Sequence, residues 1–331
     1  ERKAKEDRPS AADKDLSGPP QVYPSDIDPR YHQSAWIADR MIDLIRDSGD
    51  DRPFFAMCSF VAPHPPFDPP APYSTMYDPD TLAKPLFREG ELEDKPPHFR
   101  RHRTGRGCSN EKYDYRRLTD HQWGEVKAAY YGMITLIDEN IGRVLAALKE
   151  QGLEEDTLIL FTNDHGEMLG DHGLLFKGPF HYDCLIKAPM IVSWPGVVPK
   201  GSRYTQLTEH VDVMPTLLDL AGVPAPNGVQ GMSMAPILRG DAGAGRDCAL
   251  TEFNCYDWGL MVKTLTTREY KLTYYAGEAF GELYDRVRDP EEFVNHWDDP
   301  DYADVKQRLL RRLLDRLIQT EDTLPLRIGK Y

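Results

Sequence analysis

Residues 163–179 gather the side chains most capable of chemistry: Asp164, His165, Glu167, Asp171, His172 and Lys177, interspersed with glycines. Asp164 and His165 are adjacent and follow a short apolar run, Thr157-Leu158-Ile159-Leu160-Phe161. A sharp backbone turn after that run, which Gly166 permits, would let both side chains reach one cation. A hard carboxylate oxygen beside an imidazole suits a divalent cation such as Ca²⁺, Mg²⁺ or Mn²⁺ better than a closed zinc site. Two ligands are too few, so the remainder must come from elsewhere in the fold. Lys177 stands 13 residues after Asp164, just before Gly178-Pro179. It can return to the strand end as a fixed positive charge for an oxyanion. His64, in Pro63-His64-Pro65-Pro66 after another apolar run, can donate a hydrogen bond or act as a general acid toward a leaving oxygen. Each feature alone has a plainer reading: a proline-shaped loop, a turn or helix cap, a solvated lysine. Their placement where one fold would converge them favours a site. Glu167, Asp171 and His172 are read as loop-shaping or supporting residues.

The elements that must position these groups follow from periodicity. A helix is expected from Ser34, its cap, with Ile37, Met41, Ile42 and Ile45 on one face and Gly49 as its end. The apolar run at 53–62 reads as a fully buried strand. Residues 68–122 carry no strong period and include a basic patch at 95–106, with Arg100, Arg101, Arg103 and Arg106; they read as a solvated excursion or a lid that draws an anion inward. A long amphipathic helix is expected over 120–151, closed by Gly152. Buried strands follow at 157–161 and 189–194, then a helix over 212–221 ending at Gly222. Apolar strands alternating with helices argue for an α/β fold with a mostly parallel sheet covered on both faces. Ligands would then bind beyond the carboxyl ends of its strands. The Gly/Ala stretch at 240–245 marks a boundary. Residues 1–245 form the main domain and 246–331 a small α+β subdomain, with short strands at 260–265, 270–275 and 282–285 and a closing helix.

The 331 residues carry 40 Lys+Arg against 54 Asp+Glu, a net charge of −14. That balance demotes nucleic acid and anionic membrane as partners. It also requires a local positive site for any anionic substrate, built from Lys177, His64, the metal and the basic patch. The 40% hydrophobic share supports a real core. No apolar stretch is long enough to span a bilayer. Five cysteines with no repeated spacing form neither a disulfide framework nor a zinc ribbon.

Residues 162–196 resemble the central signature of the sulfatase family, within the alkaline phosphatase superfamily that also holds phosphonate monoester hydrolases. His64 lies in Phe60-Val61-Ala62-Pro63-His64-Pro65-Pro66-Phe67, similar to the family's substrate-binding histidine segment. Glu209-His210-Val211-Asp212 and the helix after it, Gly231-Met232-Ser233-Met234, Tyr270-Lys271-Leu272 and Glu282-Leu283-Tyr284-Asp285 resemble later family segments, in family order. The resemblance implies an alkaline phosphatase-like α/β/α sandwich and a metal-dependent hydrolase of small-molecule or carbohydrate sulfate esters. It makes Asp164 and His165 two metal ligands, Lys177 the residue that holds a sulfuryl or phosphoryl oxygen, and His64 the contact near the leaving group. Many sulfatases carry Asn where His165 stands; the His tilts toward the phosphonate and phosphodiester hydrolases. No Cys-x-Pro-Ser-Arg motif, the source of the family's formylglycine nucleophile, occurs in the chain, and no strand ending in an Asp pair. The resemblance therefore implies an N-terminally truncated sulfatase, inactive alone or a non-catalytic remnant, with formylglycine in the missing part. Apolar surface should be exposed where the missing strands would pair. Any leader would precede residue 1, so a cytoplasmic and a periplasmic location both fit.

Overall fold

The computed structural model describes residues 18–48, 52–106, 113–241, 245–255 and 258–321. Its helices are α1 (Gln33–Asp47), α2 (Pro97–Arg103), α3 (Asp120–Glu150), α4 (Asp183–Ile186), α5 (Val213–Leu220), α6 (Ala235–Leu238) and α7 (Ala303–Gln319). Its strands are β1 (Ile159–Thr162), β2 (Met190–Ser193), β3 (Cys248–Cys255), β4 (Leu260–Thr267), β5 (Tyr270–Tyr275) and β6 (Gly281–Asp285). The chain divides into two units, one of residues 1–87, 100–157 and 167–176, the other of 88–99, 158–166 and 177–331.

The first unit is built on α3. Thr119 caps it through a reciprocal box with Gln122, which satisfies two of the amide groups that a helix start leaves unpaired. Trp123, Val126, Ala129 and Met133 then fall on one face and join Phe67, Tyr113, Tyr115 and Leu175 in a core cluster. Gly132 lets the chain at Tyr73 press onto the helix: a Cβ there would lie 2.4 Å from the Tyr73 carbonyl oxygen. The α1 helix packs against α3, and Arg143 of α3 pairs with Asp39 of α1. Its cap is His32, whose Nδ1 accepts the Ser34 amide at 3.2 Å, and not Ser34. Gly49, expected to end it, lies outside the described residues.

Two expectations fail in this unit. Residues 53–62 form no strand, and their apolar side chains are open: Phe55 is 82% exposed and Met57 78%. The reason is pairing. The run forms no ladder with any strand among the described residues, and an apolar strand is buried only when neighbours cover it. The stretch after residue 68 is not a solvated excursion either, because Tyr73, Tyr113 and Tyr115 are interior.

In the second unit β1 and β2 pair antiparallel, Ile159 opposite Ser193 and Thr162 opposite Met190. Both strands are half-buried rather than buried, with Phe161 and Ile191 exposed. The other sheet runs β3-β4-β5-β6, antiparallel throughout. Helices and sheets mix as the α/β class requires. The mostly parallel sheet, however, is not formed among the described residues, where the parallel contacts are isolated bridges, Val22 to Phe67 and Ser25 to Pro70. A parallel ladder needs a neighbouring strand reached by a crossover, and the 53–62 run supplies none here.

β3 to β6 bury Leu265, Leu272 and Leu283 against Trp297 and the α7 residues Leu309 and Leu313. The division expected at 245/246 runs through the interior of this unit. Glu209 accepts the Leu250 amide at 2.7 Å and pairs with Arg316 of α7 at 2.9 Å. The basic patch also changes character. Lys95 is buried, its Nζ donating to Tyr284 Oη at 3.2 Å and to the Glu292 carbonyl at 3.1 Å, while Arg100, Arg101 and Arg106 are exposed.

Candidate active site

β1 ends at Thr162, whose hydroxyl donates to the Pro189 carbonyl at 2.9 Å and so ties the strand end to the entry of β2. Asn163 next donates its side-chain amide to the His165 carbonyl at 2.9 Å. The tightened turn presents Asp164 and His165 together. Asp164 Oδ1 accepts the His165 amide at 2.9 Å, and the rest of the carboxylate faces solvent, with the side chain 87% exposed.

His165 Nδ1 lies 2.7 Å from the Gly166 carbonyl oxygen. A carbonyl only accepts, so Nδ1 donates there, leaving Nε2 as the ring nitrogen placed to meet a cation. Nε2 is 3.6 Å from Asp164 Oδ2. A backbone acceptor fixing one ring nitrogen while the other meets a cation is how metal-binding histidines are held. The carboxylate and imidazole fit a divalent cation, and they fit as part of a site: among the described residues no three His, Cys, Asp or Glu side chains are grouped to hold a metal.

Gly166 is required here for close approach. A Cβ at Gly166 would lie 1.9 Å from the Cys184 carbonyl oxygen. The Gly166 amide donates to the Leu185 carbonyl at 2.7 Å, which docks the Asp164-His165 turn onto α4. The segment that enters α4 begins with Lys177, which is exposed and belongs to the same unit as Asp164 and His165. His64 belongs to the first unit, where it is exposed and its Nδ1 lies 2.7 Å from the Pro65 carbonyl. Asp171 shapes its own unit, its Oδ1 accepting the Leu86 amide at 2.9 Å. Glu167 Oε1 accepts the Met168 amide, and His172 is buried in a left-handed turn.

Two features escaped the sequence reading. His210 approaches the end of β1, its Nε2 3.4 Å from Thr162 Oγ1. A histidine just ahead of the α5 helix was the available signal. Behind α4 lies a buried charged network. Lys271 Nζ donates to Asp183 Oδ1 at 2.5 Å and to the His181 carbonyl at 3.0 Å, and pairs with Glu292 Oε1 at 2.5 Å. Burial raises the Asp183 carboxyl, but Lys271 and Arg286 outweigh it and hold that carboxyl below its usual range. Burial, with the charge of Lys271 and then His98, pushes His181 down to about 3.

Comparison with known proteins bears on this geometry. The sulfatase family model matches residues 9–223, and the model for the C-terminal part of N-sulphoglucosamine sulphohydrolase matches 170–319. The chain belongs to the sulfatase family. An arylsulfatase of Clostridium perfringens is 32% identical over 88% of this chain and 59% of its own length. A multifunctional alkaline phosphatase superfamily protein of Trinickia caryophylli is 30% identical over 91% of this chain and 62% of its own. Among solved structures, the phosphonate monoester hydrolase of Silicibacter pomeroyi matches with a TM-score of 0.81 and 31% identity, covering 91% of this chain and 62% of that one. The fold is that of the sulfatases and their alkaline phosphatase-like relatives. The chain spans about three fifths of the length of these relatives.

Proposed function

We propose that this sulfatase-family chain carries the metal-binding and oxyanion-holding part of a sulfuric ester hydrolase. The observation that carries the reading is the His165 ring, held by the Gly166 carbonyl so that Nε2 stands open 3.6 Å from Asp164 Oδ2. Asp164 and His165 hold a divalent cation, Ca²⁺ in the first instance. When bound, it supplies charge to the oxygens of the ester. Lys177 holds a non-bridging sulfuryl oxygen with its ammonium. His64 gives a proton or a hydrogen bond to the leaving oxygen. The chain contains no Cys-x-Pro-Ser-Arg motif, so the nucleophile is not among its residues, and the chain by itself does not turn over p-nitrophenyl sulfate. The substrates are small-molecule or carbohydrate sulfate esters. Relatives named as an N-acetylglucosamine-6-O-sulfatase and a choline-sulfatase support that class.

A second reading, hydrolysis of phosphonate or phosphate diesters, is favoured by His165 standing where many sulfatases have Asn, and by the phosphonate monoester hydrolase match. Turnover of an aryl sulfate against a phenylphosphonate ester, by a polypeptide carrying this chain and a nucleophile segment, separates the two.

The metal assignment is tested on the chain itself. Titration with CaCl₂, followed by the imidazole resonances of His165, is expected to shift Nε2 and leave the Nδ1 proton in place. Asp164→Asn should weaken binding by about tenfold to a hundredfold. An unchanged His165 ring at millimolar calcium would overturn the assignment.

A further inference from the structure

We propose that Lys271, on β5, is the positioning residue that sets Lys177 for its oxyanion. The proposal rests on the reading of Lys177 given above. The segment between Lys177 and α4 is gripped at residues 179, 181 and 183, by His98 of α2, by the β4 and β5 side chains Thr264 and Lys271, and by Arg286 and Glu292 after β6. The Pro179 carbonyl accepts from His98 Nε2 at 3.1 Å. The His181 carbonyl accepts from Lys271 Nζ at 3.0 Å, and the His181 ring contacts Thr264 Oγ1 on β4 at 2.6 Å. The Asp183 carboxylate bridges Lys271 Nζ and Arg286 Nη2, the latter at 2.7 Å, while its amide donates to Glu292 Oε2 at 2.8 Å.

Lys271 is the hub of this grip. Its side chain is fully buried, and its ammonium meets two carboxylates and a carbonyl. A buried ammonium so surrounded has one low-energy placement, because any displacement leaves a charge unpaired in a poor dielectric. Such a group is a rigid reference point. It holds the backbone carbonyl four residues after Lys177 and the carboxylate six residues after it, at the start of α4, on which Gly166 docks through Leu185. Lys177 itself is exposed. A long, solvated side chain defines a charge position only if its backbone is held. Lys271 therefore touches no reacting atom and acts through the placement of Lys177.

The test uses the 331-residue chain with its lysines reductively ¹³C-methylated and the Lys177 signal assigned by Lys177→Arg. Inorganic sulfate is the probe. In the native chain, sulfate is expected to shift the Lys177 signal saturably. In Lys271→Met the midpoint should rise about tenfold or more, in keeping with the cost of a displacement near 1 Å. If Lys271→Met does not fold, Asp183→Asn decides in the same way, since it releases the segment and leaves Lys271 paired with Glu292. A lowered melting temperature with an unchanged sulfate midpoint in the folded variant would make Lys271 merely structural and overturn the proposal. Failure of sulfate to move Lys177 in the native chain would instead overturn the reading of Lys177 on which it rests.

Discussion

Asp212 shows how much one carboxylate can organise. It is 1% exposed and accepts from Arg246 Nε at 2.8 Å, from the Met232 amide at 2.7 Å and from the Glu209 amide at 2.9 Å. Burial raises its pKa, but the Arg246 guanidinium and the two amides outweigh burial and hold it below the usual range. Asp212→Ala would leave a guanidinium and two amides without their acceptor. The expected loss is about 3–5 kcal/mol, read from the urea midpoint. A loss under about 1 kcal/mol would mean that water or Glu209 replaces the carboxylate. The sequence placed Asp212 at a helix start but carried no sign of Arg246, because a partner 34 residues away is a tertiary fact. The Asp164-His165 pair is the opposite case. Adjacency and the turn after a strand are local, so their side-by-side placement was legible, whereas the hydrogen bond of the His165 ring depended on where the Gly166 carbonyl turned.

Among elements, the approach of the β1 turn to α4 leaves no room for a Cβ at Gly166. Gly166→Ala would force its Cβ against the Cys184 carbonyl, a backbone atom that cannot rotate away. We expect a destabilisation of about 2 kcal/mol or more and a weaker calcium response at His165 than in the native chain. Gly166→Ala with native melting and native calcium binding would show that α4 shifts freely. The amphipathic helices were legible because their period is local: α3 starts and ends within a residue of expectation. The hairpin sheet was partly legible, since β5 matches its expected bounds and β4 and β6 nearly so, but β3 was missed. Its mixed sequence, Cys248–Cys255, has no clear alternation, and it forms a strand because β4 pairs along its full length.

For the whole molecule, acid is the condition to which the buried network is most exposed. His181 is buried and uncharged, with its pKa lowered from 6.5 to about 3. Between these values the unfolded chain binds a proton that the folded chain refuses, so stability falls as pH drops from about 6.5 toward 3 and is level above 6.5. The contribution is bounded at about 5 kcal/mol. Asp212 and Asp183 act in the same direction at lower pH, since both carboxyls are held below their usual values and lose that stabilisation as they protonate. Urea midpoints between pH 4.5 and 7.5 should rise with pH and flatten near 6.5. His181→Gln should reduce the slope, and an unchanged slope would place the titration elsewhere. At this scale Phe55 and Met57 are exposed, and the chain spans about three fifths of the length of the relatives it matches.

What the sequence determined by itself was the family and the longer amphipathic helices α1, α3, α5 and α7, because periodicity and motif order are written along the chain. Tertiary structure alone decided the strand partners, the interior place of Lys95, the reason for Gly166 and the grip of Lys271 on the segment after Lys177. Each of these depends on which distant groups meet. Burial and ion pairing act through space, so hydropathy along the chain cannot show whether an apolar run is covered or a lysine is interior.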